Sequence, residues 1–204
     1  MIQYDSSIEQ EANNLLESMV ANGATQTSIG SVNWLLWRTQ PSIQSVCIKM
    51  GRFAEKFFTL FVNRASGFND MPCGVIAGIG EGGKKKDVDF LFKNDLNKTV
   101  YYSELKGNIN LDTEKLPATL EKISHIEKWC KNQYPDYKVK ASLFNWSVYD
   151  EEDCPFKSKL KAAENSEVSV MFPREFFDLL GVEIDRKQYY DIFQRFGKKL
   201  MENN

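Results

Sequence analysis

The sequence predicts an α/β fold, a mixed sheet of about five strands with helices packed on its faces. Three observations carry this. Apolar stripes at helical spacing fill the N-terminal third, strand periods dominate residues 73–106, and helix and strand signals alternate from there to the C-terminus.

Taken in order, residues 5–21 place Ile8, Ala12, Leu15, Leu16 and Met19 at helical spacing, and a second helix is expected over Asn33–Thr39. Pro41 then opens a long helix, because proline suits the first turn, and Ile43, Val46, Cys47, Met50, Phe53, Ala54, Phe57 and Phe61 continue its apolar stripe. This helix should be buried and central. After a turn-rich stretch, Gly67–Pro72, three strands are expected: apolar, glycine-rich Cys73–Ile79, alternating Asp87–Phe92, and Thr99–Lys106, rich in Val and Tyr. Asn94–Asn97 is the turn that makes the last two a hairpin. Asp112–Trp129 reads as a helix capped by Asp112 or Thr113, with Leu116, Leu120, Ile123 and Ile126 on one side. Strands at Lys138–Tyr149 and Glu167–Phe172, a proline-opened helix at Pro173–Leu180 and a helix at Asp185–Met201 complete the chain.

Composition narrows the function classes. A chain of 204 residues suits one domain, since one core commonly serves about 100–200 residues. With 42 % apolar and 13 % aromatic residues it can bury a substantial core, which excludes disordered and coiled-coil classes. The 26 Lys and Arg against 28 Asp and Glu leave a net charge of -2, so bulk charge does not advertise a nucleic-acid partner, although a local basic groove remains compatible. Cys47, Cys73, Cys130 and Cys154 form no CxxC, and His125 is the single histidine, which excludes a Cys/His zinc site. His125 sits on a mixed helix face, where a structural role outweighs a catalytic one. Residues 1–18 lack the basic and apolar regions of a signal peptide, and the expectation is a cytoplasmic protein with reduced thiols. Apolar runs such as Phe57–Val62 fall far short of the roughly 20 residues needed to span a bilayer.

The chemistry concentrates in Lys84-Lys85-Lys86-Asp87-Val88-Asp89 and, beyond the turn, Tyr102-Ser103-Glu104-Leu105-Lys106. Side chains at i and i+2 of a strand share a face, so Asp87 and Asp89 point one way while Val88 and Phe90 point to the core. The same rule groups Tyr102, Glu104 and Lys106. In a hairpin these acids converge with an ammonium beside them, a donor set suited to Mg2+, which takes one or two carboxylates and keeps waters and a substrate phosphate. Acid-x-Lys alone says little, because chance supplies about three such triplets and the chain has three, at Glu104, Asp136 and Asp185. Asp185 is better explained as a helix N-cap and Asp136 lies in a loop, so only Glu104-Leu105-Lys106 follows a strand that carries acids. Read from spacing alone, the same charges also suit a solvated strand edge.

Asp87/Asp89 followed by Glu104-Leu105-Lys106 resembles the PD-(D/E)xK nuclease motif, and the element order over about Pro41–Phe172 is similar to that of the restriction-endonuclease-like fold. The small size and helical N-terminal region resemble type II restriction endonucleases. The resemblance implies a Mg2+-dependent, sequence-specific endonuclease acting on double-stranded DNA. It divides a single nuclease domain into an N-terminal helical region (1–40), a catalytic core (41–172) and C-terminal helices (173–204). It implies Asp89 or Asp87 with Glu104 as metal ligands and Lys106 beside the attacking water. Gly51-Arg52-Phe53-Ala54-Glu55 resembles the helix that supplies a further acid, which nominates Glu55. The proline position of the motif holds Lys86 or Val88, so both aspartates stay in consideration.

For such a nuclease, Lys84, Lys85 and Lys86, and the second basic stretch Lys157, Lys159 and Lys161 in a turn-rich segment, are candidate phosphate contacts. Asn108, Asn110 and Asn145 are candidates for reading bases. A palindromic target calls for a two-fold dimer, for which Tyr189, Tyr190, Phe193 and Phe196 offer an aromatic stripe, although core packing is the commoner use of such a stripe. The glycines at 78, 80, 82 and 83 lack the lysine and helix of a phosphate-binding loop, so no nucleotide cofactor is expected.

Overall fold

The structure, a computed structural model, describes residues 2–21, 43–107, 115–166 and 168–202. The expected helix at 33–39, the Pro41 start, the 112/113 cap and both Asn108 and Asn110 lie outside these residues. The chain divides into two compact units, Met1–Phe58 with Glu183–Asn204, and Thr59–Val182.

The first unit holds a short strand β1 (Ile2–Gln3) and helix α1 (Ser6–Ala21). To these it adds most of α2 (Ile43–Arg64) and the C-terminal helix, Arg186–Glu202. Its core is aromatic. Phe53 stacks on Phe196 with centroids 4.1 Å apart, and Phe193 meets both Phe53 and Phe57 edge-on at 5.4 Å. Tyr189, Phe193 and Phe196 are buried here, so the stripe packs the core of its own unit, the commoner use of such a pattern, and does not serve as a dimer surface. The C-terminal helix begins with a reciprocal cap, Gln188 N donating to Asp185 Oδ1 (2.8 Å) and Asp185 N to Gln188 Oε1 (2.9 Å). That accounts for the Asp185 triplet.

The second unit is built on a five-stranded mixed sheet flanked by helices. Its first strand, β2 (Phe68–Asp70), comes from the stretch read as turn; three residues carry too little periodicity to register. Next comes a separate antiparallel ribbon, β3 (Gly74–Ile76) with β4 (Lys86–Val88), whose connecting loop holds one 3-10 turn, Glu81–Gly83. No α-helix begins there. The sheet continues with β5 (Phe90–Asn94) and β6 (Thr99–Lys106), then helix α3 (Lys115–Gln133) and strand β7 (Lys138–Asn145). Helix α4 (Lys157–Glu164), strand β8 (Ser169–Met171), helix α5 (Pro173–Leu180) and a short β9 (Val182–Glu183) precede the C-terminal helix, α6. Helix α4 replaces the expected turn-rich segment. Its sequence is mostly polar, and among its described side chains Leu160 and Ala163 are the buried ones.

Strand order is β2-β5-β6-β7-β8. β5 and β6 pair antiparallel from Phe90↔Ser103 to Asn94↔Thr99, whereas β6 and β7 pair parallel from Thr99↔Lys138 to Lys106↔Asn145. A parallel pair needs a crossover, and α3 supplies it. β6 is buried from Thr99 to Leu105, as a central strand covered on both faces must be. One face packs Val100, Tyr102 and Leu143 against Ile123, Ile126 and Cys130 of α3. The other is aromatic: Phe92 stacks on Tyr101 at 4.9 Å, and Phe176 of α5 meets Phe90, Phe92 and Phe144 at 5.5–5.9 Å. Among the described residues, no helix is long and apolar enough to cross a membrane.

Phe92 is fully buried with rings on several sides. Phe92→Ala should therefore lower the stability of the second unit by about 3–5 kcal/mol, measured as a shift in the urea-unfolding midpoint.

Candidate active site

Asp89 stands where the chain changes pairing partner, between β4, which pairs with β3, and β5, which pairs with β6. The expected continuous strand Asp87–Phe92 is broken at this residue. One step beyond Phe90↔Ser103, the register sets Asp89 across from Glu104. The backbone N–H of Leu105 donates to Asp89 Oδ2 at 3.1 Å, so the carboxylate takes a donor at the end of the ladder. Asp87 lies on the ribbon opposite Val75; both are exposed, and Asp87 does not join the contacts of Glu104. The structure thus selects Asp89 as the acid beside Glu104.

Glu104 is 2 % exposed. Its Oε1 accepts from Lys106 Nζ at 2.8 Å, and its Oε2 accepts from the Tyr102 hydroxyl at 2.7 Å. The i, i+2 rule predicts this grouping. A fourth group was missed: Lys122 of α3 places its Nζ 2.6 Å from Glu104 Oε2 and 3.0 Å from Asp89 Oδ1, bridging the two carboxylates. The signal available in the sequence is its spacing. Lys122 precedes buried Ile123 by one residue and buried Ile126 by four, which places it at the rim of the face that α3 turns to the sheet.

The end of β6 is fixed from the neighbouring strand. Trp146 N donates to Lys106 O at 3.1 Å. The Trp146 ring covers Gly107 so closely that a Cβ there would stand 2.7 Å from the indole, which explains glycine beside the site lysine.

The electrostatics separate the two acids. Burial, and then the charge of Glu104, raise Asp89 from 3.8 to about 6, with Lys122 and Lys106 opposing the rise. Burial also pushes Glu104 upward, but Lys106 and Lys122 together overcome it and hold this carboxyl below its usual range. Burial and the adjacent Glu104 carboxylate keep Tyr102 protonated well above the normal phenol range. Desolvation would lower Lys122, yet Asp89 and Glu104 reverse it, and the ammonium is favoured.

The remaining expected residues are scattered. Lys84 and Lys85 are exposed in the ribbon loop, and Lys86 is half-buried on β4, three residues before Asp89. Lys157 and Lys161 are exposed on α4, the helix that also includes Lys159. Asn145 is 2 % exposed, and its Oδ1 accepts from Ser147 Oγ at 3.1 Å. Its amide nitrogen lies 4.0 Å from Cys154 Sγ, so the side chain is turned toward protein neighbours. Glu55 is half-buried on α2 in the first unit, whereas all the contacts given above for Asp89 and Glu104 come from the second. His125 is half-buried on α3 with Nδ1 3.7 Å from Glu121 Oε1. Among the described residues, no group of three or more His, Cys, Asp and Glu side chains gathers to hold a metal. No protein-family model matches the chain, and comparison with curated proteins gives no match.

The raised Asp89 value sets a sign for pH dependence. Folding favours its protonated form, so its contribution is present below about pH 4 and is lost as pH rises through 6; Glu104 behaves oppositely and loses its contribution as pH falls. Relative to the wild type, Asp89→Asn should gain roughly 1–3 kcal/mol between pH 4 and pH 7, measured by urea unfolding in EDTA. A difference that is flat with pH would contradict a raised Asp89.

Proposed function

We propose that this chain is a Mg2+-dependent nuclease of the PD-(D/E)xK type, and more narrowly a sequence-specific endonuclease that cleaves double-stranded DNA in the manner of a type II restriction enzyme. One observation carries the reading: Asp89 and Glu104 turn carboxylate oxygens toward a single cation, with Lys106 Nζ 2.8 Å from Glu104 on the same face. The cation between them is the Lys122 ammonium, which demonstrates that both side chains can serve one positive centre.

The donor set fits Mg2+. That ion uses one or two carboxylates and takes its other ligands from waters and substrate phosphate, so a third acid is not required. Asp89 and Glu104 would hold it, and when bound it supplies Lewis-acid polarisation of the phosphodiester and a more acidic water. The protein's own groups do the rest. Glu104 stays ionised because Lys106 and Lys122 offset its burial. Lys106, fixed against Glu104 at the end of β6, orients the attacking water and stabilises charge on the phosphate oxygens. Tyr102 donates to Glu104 and stops its carboxylate from rotating.

The ribbon supports a DNA substrate. Lys84 and Lys85 extend from its loop, and β4 leads directly into Asp89, so phosphate contacts there would bring a duplex toward the acids. Cleavage of both strands of a palindrome calls for a homodimer, and with Tyr189, Phe193 and Phe196 buried, its interface must use another surface.

Purified protein with Mg2+ should cut unmethylated plasmid and phage DNA into discrete fragments bearing 5′-phosphates, resolved on gels and by end-labelling. Lys106→Ala should lower the cleavage rate about 10²–10³-fold while the protein remains folded. Nicking without a fixed sequence would point instead to a structure-specific or repair nuclease. Full retention of activity in Lys106→Ala would remove the proposed site.

A further inference from the structure

Lys122 lies outside the (D/E)xK pattern, yet it makes the most central contact in the cluster. Its ammonium holds one oxygen of Glu104 at 2.6 Å and one of Asp89 at 3.0 Å, the same two side chains assigned above to the divalent ion. With both acids ionised, their two negative charges face the two ammonium groups of Lys106 and Lys122, and the cluster is neutral before any metal arrives. Asp89, Glu104 and Lys122 all have side chains less than one-fifth exposed, so solvent screens their interactions weakly. Two cations cannot occupy the point between these oxygens, because like charges at contact distance in a partly buried site repel strongly.

We propose that Lys122 is a resident counter-cation, which a divalent metal ion must displace from Asp89 and Glu104, and that it keeps the DNA-free protein poorly loaded with metal. The inference rests on the nuclease reading for the identity of the metal ligands. Lys122 acts here as a positioning residue: it keeps the carboxylates in register while the site is empty and sets how tightly they then take the metal. Simple structural support would have the opposite signature, because removing a brace loosens the ligands and weakens metal binding. Removing a competitor strengthens it.

The test is calorimetric titration of Mn2+ into metal-free full-length protein, with thermal melting recorded alongside. Lys122→Met should bind Mn2+ at least tenfold more tightly than the wild type. Lys122→Arg, which keeps the charge, should stay within about threefold of it. Without metal, Lys122→Met should melt below the wild type, and saturating Mn2+ should raise its melting temperature by more than it raises that of the wild type. Lys122→Gln serves as a second neutral variant if the methionine protein does not fold. If the wild type binds Mn2+ and the neutral variants bind it equally or more weakly, displacement is wrong while the metal site stands. If no folded variant and no wild-type protein binds Mn2+, the metal-site reading falls and this inference with it.

Discussion

A buried carboxylate organises the second unit. Glu104 sits on the central strand of a sheet covered on both faces, where an uncompensated charge would cost several kcal/mol. Three groups answer that cost from three directions. Tyr102 and Lys106 come from the same face of β6, two residues to either side, and Lys122 comes from the helix that crosses over to β7. The crossover is demanded by topology, since β6 and β7 run parallel. Packing of Ile123 and Ile126 into the sheet sets the rotation of that helix. Apolar burial thus determines where the second ammonium stands, and electrostatics decides which acid is the easier to ionise beside it.

The two acids are shifted in opposite directions for the same reason. Glu104 has two ammonium groups and a hydroxyl, whereas Asp89 has Lys122 and one backbone N–H. Burial acts on both, but only Glu104 has enough positive charge nearby to stay low. The difference follows from where each lies: Glu104 well inside a ladder strand, Asp89 at a junction between two ladders.

Much of this was legible from period and spacing. The period-two pattern locates β6 to the residue and groups Tyr102, Glu104 and Lys106, and proline marks the start of α5 at Pro173. The break at Asp89 was not legible. A change of pairing partner leaves the alternation of side chains intact, so alternation alone keeps both Asp87 and Asp89 in consideration until the partners are known. Helix α4 was hidden by its lysines, and β2 by its length of three residues. Lys122 was hidden by its ordinariness. Many helices carry a lysine at the rim of a buried face, and only the position of Glu104 across the interface makes this one matter. The aromatic stripe of α6 shows the converse: its spacing suited a core more often than a surface, and the rings of Phe53 and Phe57 determine that it is core.

Asp89, Glu104, Lys106 and Lys122 all come from one run of 34 residues, with the outermost pair separated by 33 positions. The cluster is therefore assembled by a hairpin and the helix that follows it, contacts of short range along the chain. Closing such loops is entropically cheaper and faster than bringing together distant segments. The helix that covers this face of the sheet is thus also the one that carries the second ammonium to Glu104.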